Sequence, residues 1–266
     1  MLKIKPWEEL TIRDNFLFQK VMLHENICKH FLEKLLDIKI KNINYRQYEK
    51  TIDLSPQNKT IRLDVYVETD ADEVIDIEMQ TGNSEKEWLA KRARYYGSML
   101  DLSSLAKGKD YIKLKKSYVI FVCTFDPFDC ERKLYTFRNT CREENLDLND
   151  GSEKIFLNTK GTKGKVDEDI DNFLEYVDKN KINGDFVKNI ADVVAKVKEH
   201  KELGVEYMSM MAEYYDQRRL GLREGRIETI INNVRSLMQE MGWGIQETLA
   251  KLHVSPEDSA IVLKRI

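Results

Sequence analysis

Two consecutive stretches of alternating apolar and polar residues constrain the fold of this chain more than any other feature of its sequence. They cover residues 61–68 and 75–80, and the polar run 69–73 separates them. Side chains of a β-strand point alternately to its two faces, and a short polar run suits a tight reversal of the chain. The sequence therefore predicts an antiparallel hairpin that turns around Ala71 and has one apolar face and one acidic face.

Two acidic residues, Asp64 and Glu78, face each other across the polar side of this hairpin if the turn is symmetric. Directly paired residues hold their Cβ atoms roughly 4.5 to 5.5 Å apart, so two carboxylates there repel each other unless a cation lies between them. Mg²⁺ suits such a pair, because it binds a few carboxylates and keeps several waters, and Mn²⁺ is the alternative ion. The backbone carbonyl of Met79 is a candidate further ligand, and Gln80 would face the attacking water or the phosphate.

The residues alone leave structural interpretations open. A half-exposed hairpin with a solvated polar face fits the same alternation. Asp14 lies in the first turn of a helix predicted over 13–22. A carboxylate there either stabilises the positive end of the helix dipole or takes part in catalysis.

The overall charge argues neither for nor against a nucleic-acid partner. The 266 residues carry a net charge of −3 at pH 7, yet a local basic face can bind phosphate when the acidic residues lie elsewhere. Two regions are locally basic: a helix predicted over 85–102, which contains Lys91, Arg92 and Arg94, and the connector 107–117. A solvated helix face is the alternative for the helical cations.

The cysteines and the apolar segments limit where such a chain works. The four cysteines show no CxxC spacing and no histidine partners, so the sequence predicts neither a zinc site nor a disulfide framework, and a reducing cytoplasm is the simplest location. No uninterrupted run of about 18 apolar residues occurs, so we expect neither a secretion signal nor a membrane span.

The order of the predicted elements favours an α/β core followed by helices. Residues 118–124 are almost continuously apolar, which is typical of a strand buried on both faces. We expect a core over 1–165, a helical extension over 166–216 and a helical module over 217–266. The module carries an apolar stripe that would be exposed unless a partner covered it, which indicates docking against another domain or against another subunit, as in a homodimer. The stripe consists of Leu220, Ile227, Ile230, Ile231, Val234, Leu237, Met238 and Met241.

The spacing of Asp64, Glu78 and Gln80 resembles the motif of the PD-(D/E)xK nuclease superfamily, an Asp on one strand followed by Asp/Glu-x-Lys on the next. The closer resemblance, over nearly the whole chain, is to the bacterial PD-(D/E)xK family transposases, the recombination-promoting nucleases. It rests on RDNFLFQKVM, LDVYVETDADEVIDIEMQ, RARYYGSML and YIKLKKSYVIFVCTFDPF, and on the Glu/Arg-rich C-terminal helix. The resemblance implies an α/β fold with a mixed sheet of restriction-endonuclease type, flanked by helices.

The same resemblance assigns roles to individual residues. Asp64 and Glu78 match the metal-binding acids, and Asp14 matches an acidic residue of the first core helix in many members. Gln80 stands where the superfamily motif has lysine, as in many members of this group. A neutral amide can only form hydrogen bonds, whereas an ammonium also counters charge on the phosphorus.

The charge that lysine would supply at position 80 has a possible replacement on the basic helix predicted over 85–102. Arg92 or Arg94 could supply it, and Arg92-x-x-x-Tyr96 lies where the family often has Gln-x-x-x-Tyr. Together with Lys91, these residues are the expected nucleic-acid contacts. The expected function is Mg²⁺-dependent DNA endonuclease activity in transposition, recombination or phage defence. The alternative is a catalytically inactive member that binds nucleic acid or a protein partner.

Overall fold

The structure is a computed structural model, and it describes residues 4–52, 61–82 and 86–266, with the backbone alone for 45–50. The chain divides into two compact units. One unit comprises Pro6–Leu203, and the other comprises 204–266 together with residues 4 and 5. The predicted boundary at residue 217 lies within a continuous helix, and the three-part division stays a prediction.

A six-stranded mixed sheet forms the centre of the first unit, in the order β1-β2-β3-β4-β8-β5. The pairs β3/β4 and β4/β8 are parallel, whereas β1/β2, β2/β3 and β5/β8 are antiparallel. Two short strands, β6 and β7, pair separately. The strands are β1 (Ile43–Ile52), β2 (Ile61–Thr69), β3 (Glu73–Gln80), β4 (Lys116–Cys123), β5 (Leu134–Phe137), β6 (Thr140–Cys141), β7 (Leu146–Asp147) and β8 (Ser152–Asn158).

Helices flank this sheet and make up the whole C-terminal part. Among the described residues none is long and apolar enough to span a membrane. Short 3-10 turns lie at Trp7–Glu9 and Tyr111–Lys113. The α-helices are α1 (Asn15–Met22), α2 (Glu25–Leu36), α3 (Lys86–Ser104), α4 (Glu168–Lys179), α5 (Gly184–Glu199), α6 (Lys201–Met241), α7 (Ile245–Lys251) and α8 (Pro256–Val262).

The hairpin predicted from the alternating residues is present as β2 and β3. Val65 pairs with Ile77 and Glu68 with Val74, which is the register of a turn centred on Ala71. Asp72, in the turn, has φ 57°, a left-handed conformation that Asp tolerates better than most residues. The solvated polar face, in contrast, is wrong: every residue of β3 is buried. The strand β3 lies between β2 and β4, so neither of its edges is free. The helix α3 covers the face of β3 that carries the acids.

The apolar stripe of the C-terminal helix is covered within the chain itself. Ile227, Ile231 and Val234 of α6 are buried, and they cluster with Leu249 of α7 and Val262 of α8. A second subunit is therefore not needed to cover this part of the stripe, because the two short terminal helices fold back on it. Leu220 and Met241, at the ends of the stripe, remain exposed.

Candidate active site

Four polar side chains lie on the face of the hairpin that α3 covers: Asp64 of β2 and Asp76, Glu78 and Gln80 of β3. Their exposed fractions are 6%, 0%, 0% and 6%. Residues two apart on a strand share a face, so the three on β3 form one row beside Asp64. Burial of this many polar groups is costly unless they are paired, which makes the partners of each decisive.

Asp64 is held by hydrogen bonds on both carboxylate oxygens. Asn15 and Gln19 of α1 each donate a side-chain N–H to Oδ1, both at 3.0 Å. The backbone N–H of Met79 donates to Oδ2 at 3.2 Å. Burial raises the pKa of Asp64, and the hydrogen bonds from Asn15, Met79 and Gln19 oppose that rise. These donors fix the direction of the carboxylate and favour its ionised form.

Glu78 connects the hairpin to α3. Its Oε1 accepts a hydrogen bond from the backbone N–H of Asp64 at 3.0 Å, and its Oε2 lies 2.5 Å from Nη2 of Arg92. Burial raises the pKa of Glu78 to about 8, the charge of Asp64 adds to the rise, and Arg92 opposes it. The salt bridge therefore compensates only part of the cost of two neighbouring buried carboxylates.

Arg92 also holds the residue at the lysine position. Its Nη1 donates to Oε1 of Gln80 at 3.1 Å. The guanidinium lies 4.9 Å from the ring centroid of Tyr96 and 5.6 Å from that of Phe121. A planar guanidinium combines such forked hydrogen bonding with stacking on aromatic rings, which an ammonium does less well. Arg92 is thus the cation that contacts these acids among the residues whose side chains the structure describes.

Asp76 depends on another acid for its polar contact. No N–H or hydroxyl group of the described residues donates to either of its carboxylate oxygens, but its carboxyl group shares a hydrogen bond with that of Glu78. Burial raises its pKa well above the ordinary value, and the charges of Glu78 and Asp64 raise it further. Two buried carboxyl groups that share one proton are costly to ionise together, and a bound cation would relieve that cost.

These residues fit a divalent metal ion. Among the described residues, three buried carboxyl groups and one guanidinium share the face, so additional positive charge there would be stabilising. No group of three or more His, Cys, Asp or Glu side chains in that part of the chain is arranged to hold a metal. The oxygen donors on the face are carboxyl groups, which are the ligands that hard divalent cations take.

Asp14 takes part in a local turn. Its Oδ2 accepts hydrogen bonds from the backbone N–H and the hydroxyl of Thr11, at 2.7 and 3.2 Å. The two α1 residues that reach Asp64, Asn15 and Gln19, were not expected from the sequence. Their four-residue spacing on a short, largely apolar helix was the available signal, because such residues lie on one helix face.

The predicted nucleic-acid contacts on α3 separate into two sets. Arg92 and Tyr96 lie at the acids, since they are four residues apart on one face. Lys91 and Arg94 are exposed, and Arg94 is rotated by about 200° from Arg92 around the helix. The structure thus brings Arg92, and not Arg94, to Glu78 and Gln80.

Most of the first unit of the chain is similar to a described protein family. A family model for PD-(D/E)XK nuclease family transposases matches residues 15–183, more than half of the chain. The match includes α1, the hairpin and α3, and it begins one residue after Asp14. No curated protein and no solved structure matches the chain. The family predicted from the sequence and its restriction-endonuclease-like α/β fold are confirmed.

Proposed function

We propose that this chain, which belongs to the PD-(D/E)XK nuclease family transposases, is a metal-dependent DNA endonuclease that hydrolyses phosphodiester bonds. The observation that carries the proposal is the buried Asp64 and Glu78 pair, linked through the backbone of β2 and β3 and faced by Arg92. Family membership supports nuclease chemistry, and the buried acids supply the hard oxygen ligands that such chemistry needs.

The roles of the acids follow from their contacts. Mg²⁺ or Mn²⁺, held by Asp64, Glu78 and the carbonyl of Met79, would neutralise charge on the phosphoryl oxygens and lower the pKa of a bound water. Asn15 and Gln19 orient Asp64, and their hydrogen bonds oppose the rise in its pKa that burial causes. Glu78 must lose its proton before it binds a cation, because its raised pKa favours the protonated form.

Gln80 and Arg92 together take the place of the lysine. Since Oε1 of Gln80 accepts from Arg92, its amide N–H groups are directed to other acceptors, such as a water or a phosphate oxygen. Arg92 contributes the positive charge that the amide lacks, and Tyr96 supports its guanidinium. Asp14 stays a candidate catalytic residue because it directly precedes Asn15, which binds Asp64. Lys91 and Arg94 are proposed to contact the DNA backbone from the exposed face of α3.

The test is cleavage of plasmid DNA, single-stranded DNA and RNA with Mg²⁺, Mn²⁺ or a chelator. Asp64→Asn and Glu78→Gln should each abolish metal-dependent cleavage of DNA. Asp72→Asn is the matched control, because this carboxylate lies in the turn of the same hairpin and its side chain is 89% exposed. Cleavage that persists in both site variants, or in the presence of the chelator, would refute the proposal.

One observation favours a second candidate, an inactive member that binds nucleic acid or a protein partner. Glu78 already has a cation, Arg92, at 2.5 Å, and Gln80 lacks the charge of lysine. In that case calorimetry with Mg²⁺ and Mn²⁺ gives no heat of binding, while DNA binding needs no metal and weakens with salt.

The cellular role is part of the same proposal. We propose that the protein acts on DNA in transposition, recombination or phage defence in the bacterial cytoplasm, and that it is a homodimer. Exposed apolar side chains on α6, including Leu220 and Leu222, support an interface between copies. Sedimentation of the full chain tests this point: a monomer, or a dimer unchanged by Leu220→Glu with Leu222→Glu, would contradict it.

A further inference from the structure

The connector between α3 and β4 is strongly basic. Residues 107–116 contain five lysines and a single acidic residue, Asp110, in a chain whose net charge is −3. Lys107, Lys109 and Lys113 are exposed, and no ion pair involves them among the described residues. Lys115 is different, because it pairs with Glu68 at 2.9 Å. Three of the lysine charges are therefore available to an anionic partner.

The tip of the connector exposes large apolar side chains between these lysines. Tyr111 is 85% exposed and Ile112 is 83% exposed. The tip is a 3-10 turn, in which Oδ1 of Asp110 accepts a hydrogen bond from the backbone N–H of Ile112 at 3.2 Å. Backbone and capping contacts hold this turn, so neither side chain is needed to fold it. Exposed apolar groups of this size indicate a binding surface.

The connector lies at a definite distance from the candidate active site. Lys116 pairs with Glu73, and Phe121 pairs with Glu78 in the same parallel register. Five residues of strand correspond to roughly 17 Å. Both regions belong to the unit 6–203. A strand of nucleic acid bound at Glu78 would therefore have to extend well past the cleavage site to reach Tyr111.

We propose that residues 107–116 bind an unpaired DNA strand that flanks the cleavage site, with Tyr111 stacked on a base and Lys107, Lys109 and Lys113 on phosphates. This inference rests on the proposed function for its ligand, DNA. Grooves that bind single strands combine cations along the backbone with aromatic side chains that stack on bases. An unpaired base is available to Tyr111 directly, whereas a duplex would first have to be unstacked at a cost. Ile112 covers the neighbouring base or sugar.

The experiment measures binding of labelled single-stranded DNA to the full chain in a chelator, across a range of salt concentrations. One variant is Tyr111→Ala, and another combines Lys107→Ala, Lys109→Ala and Lys113→Ala. Tyr214→Ala is the control for the tyrosine, because Tyr214 is an exposed aromatic residue of α6. Lys39→Ala is the control for the lysines, since Lys39 is exposed in the segment that follows α2. Circular dichroism verifies that each variant is folded.

The two variants should change DNA binding in different ways. Tyr111→Ala should weaken binding roughly 5- to 150-fold, the range of one lost base stack, with an unchanged dependence on salt. The lysine variant should lower the slope of log affinity against log salt by about 2, as expected for three phosphate contacts on a single strand. The effect of Tyr111→Ala should be smaller with a blunt duplex of the same length, because its bases are already stacked on one another.

Several results would overturn the inference. Unchanged affinity of Tyr111→Ala is one, and an equal effect on single strands and on a blunt duplex is another. Anionic phosphatidylserine vesicles provide a further arm, because binding to them that depends on Tyr111, without an effect on DNA, would assign the connector to a lipid surface. The chelator separates binding from cleavage. If the native protein shows no nuclease activity but binds DNA in a way that depends on Tyr111, the proposed function is refuted and the proposed role of the connector is not.

Discussion

The backbone N–H of Asp64 donates a hydrogen bond to the carboxylate of Glu78 at 3.0 Å, so the two acids of the candidate site are coupled through the hairpin itself. In turn, the backbone N–H of Met79, the residue after Glu78, donates a hydrogen bond to the carboxylate of Asp64. Each acid is thus held by the strand that carries the other. The relative position of the two carboxylates depends on the register of the hairpin, and a slip by one residue would remove it.

Glu78 should make the stability of the metal-free protein depend on pH. Its pKa is raised from 4.5 to about 8, so the folded state retains a proton that the unfolded chain releases. This stabilisation is fully present below about pH 4.5 and is lost as the pH rises through about 8. Urea unfolding in a chelator should show falling stability over this interval, and Glu78→Gln should flatten the decline. A stability that increased over the same interval would contradict the assignment.

Metal affinity should depend on pH in the opposite direction. Because a cation competes with the proton on Glu78, binding of Mn²⁺ should strengthen as the pH rises towards about 8. Calorimetry in buffers with different ionisation enthalpies would measure the protons released. Release of no proton near neutral pH would show that Glu78 is not a ligand.

Asp76→Asn should stabilise the metal-free protein at neutral pH by about 1–2 kcal/mol, because the amide needs no proton in a buried site where the carboxyl group has to take one up on folding. The gain should increase at alkaline pH, where the native carboxyl group is forced to ionise. Chemical denaturation of Asp76→Asn beside the exposed control Asp72→Asn measures the difference. A loss of stability would mean that the hydrogen bond between the carboxyl groups of Asp76 and Glu78 contributes more than the proton uptake costs.

Arg92→Ala should destabilise the protein by about 3 kcal/mol, because it leaves Glu78 buried without its cation. Arg94→Ala, two residues along the same helix and exposed, should change stability by no more than about 0.5 kcal/mol. Arg92→Ala should also bind Mn²⁺ more tightly than the native chain does, since the guanidinium no longer competes for Glu78. Equal effects of the two substitutions would refute the distinction between these arginines.

Gln19→Ala should weaken metal binding about 10- to 100-fold, the usual cost of losing a residue that orients a metal ligand. Gln19 is 2% exposed and donates to Asp64, so the carboxylate loses both a donor and a fixed direction. Asn26→Ala, an exposed asparagine of α2, is the control. Calorimetry with Mn²⁺ provides the measurement, and an unchanged affinity would assign Gln19 a purely structural role.

Local patterns in the sequence predicted the hairpin and its turn. Alternation with period two specifies a strand, and the polar run 69–73 specifies where it reverses, so the register of β2 and β3 follows from neighbouring residues alone. The helix α3 and the buried strand β4 were predicted for the same reason, since helical periodicity and a short apolar run are local properties. The positions of Asp64 and Glu78 on one face followed directly.

The local sequence did not predict which of the two arginines, Arg92 or Arg94, contacts the acids. Both lie on α3, and the local sequence does not specify which side of that helix meets the sheet. Burial of Leu89, Ala93 and Tyr96 turns the helix so that Arg92 faces the acids. In the same way, the fold of α7 and α8 onto α6 decided that Ile227, Ile231 and Val234 are buried within the chain.

The sequence by itself determined which residues form strands and helices, and which acids share a face of the hairpin, because those properties depend on neighbours a few residues apart. Only the tertiary structure decided that this face is buried, that Asn15 and Gln19 orient Asp64, and that no N–H or hydroxyl group of the described residues donates to Asp76. These properties depend on contacts between segments far apart in the chain. The packing of α1 and α3 against the sheet therefore turns two paired acids into a buried, electrostatically unbalanced site that is suited to a cation.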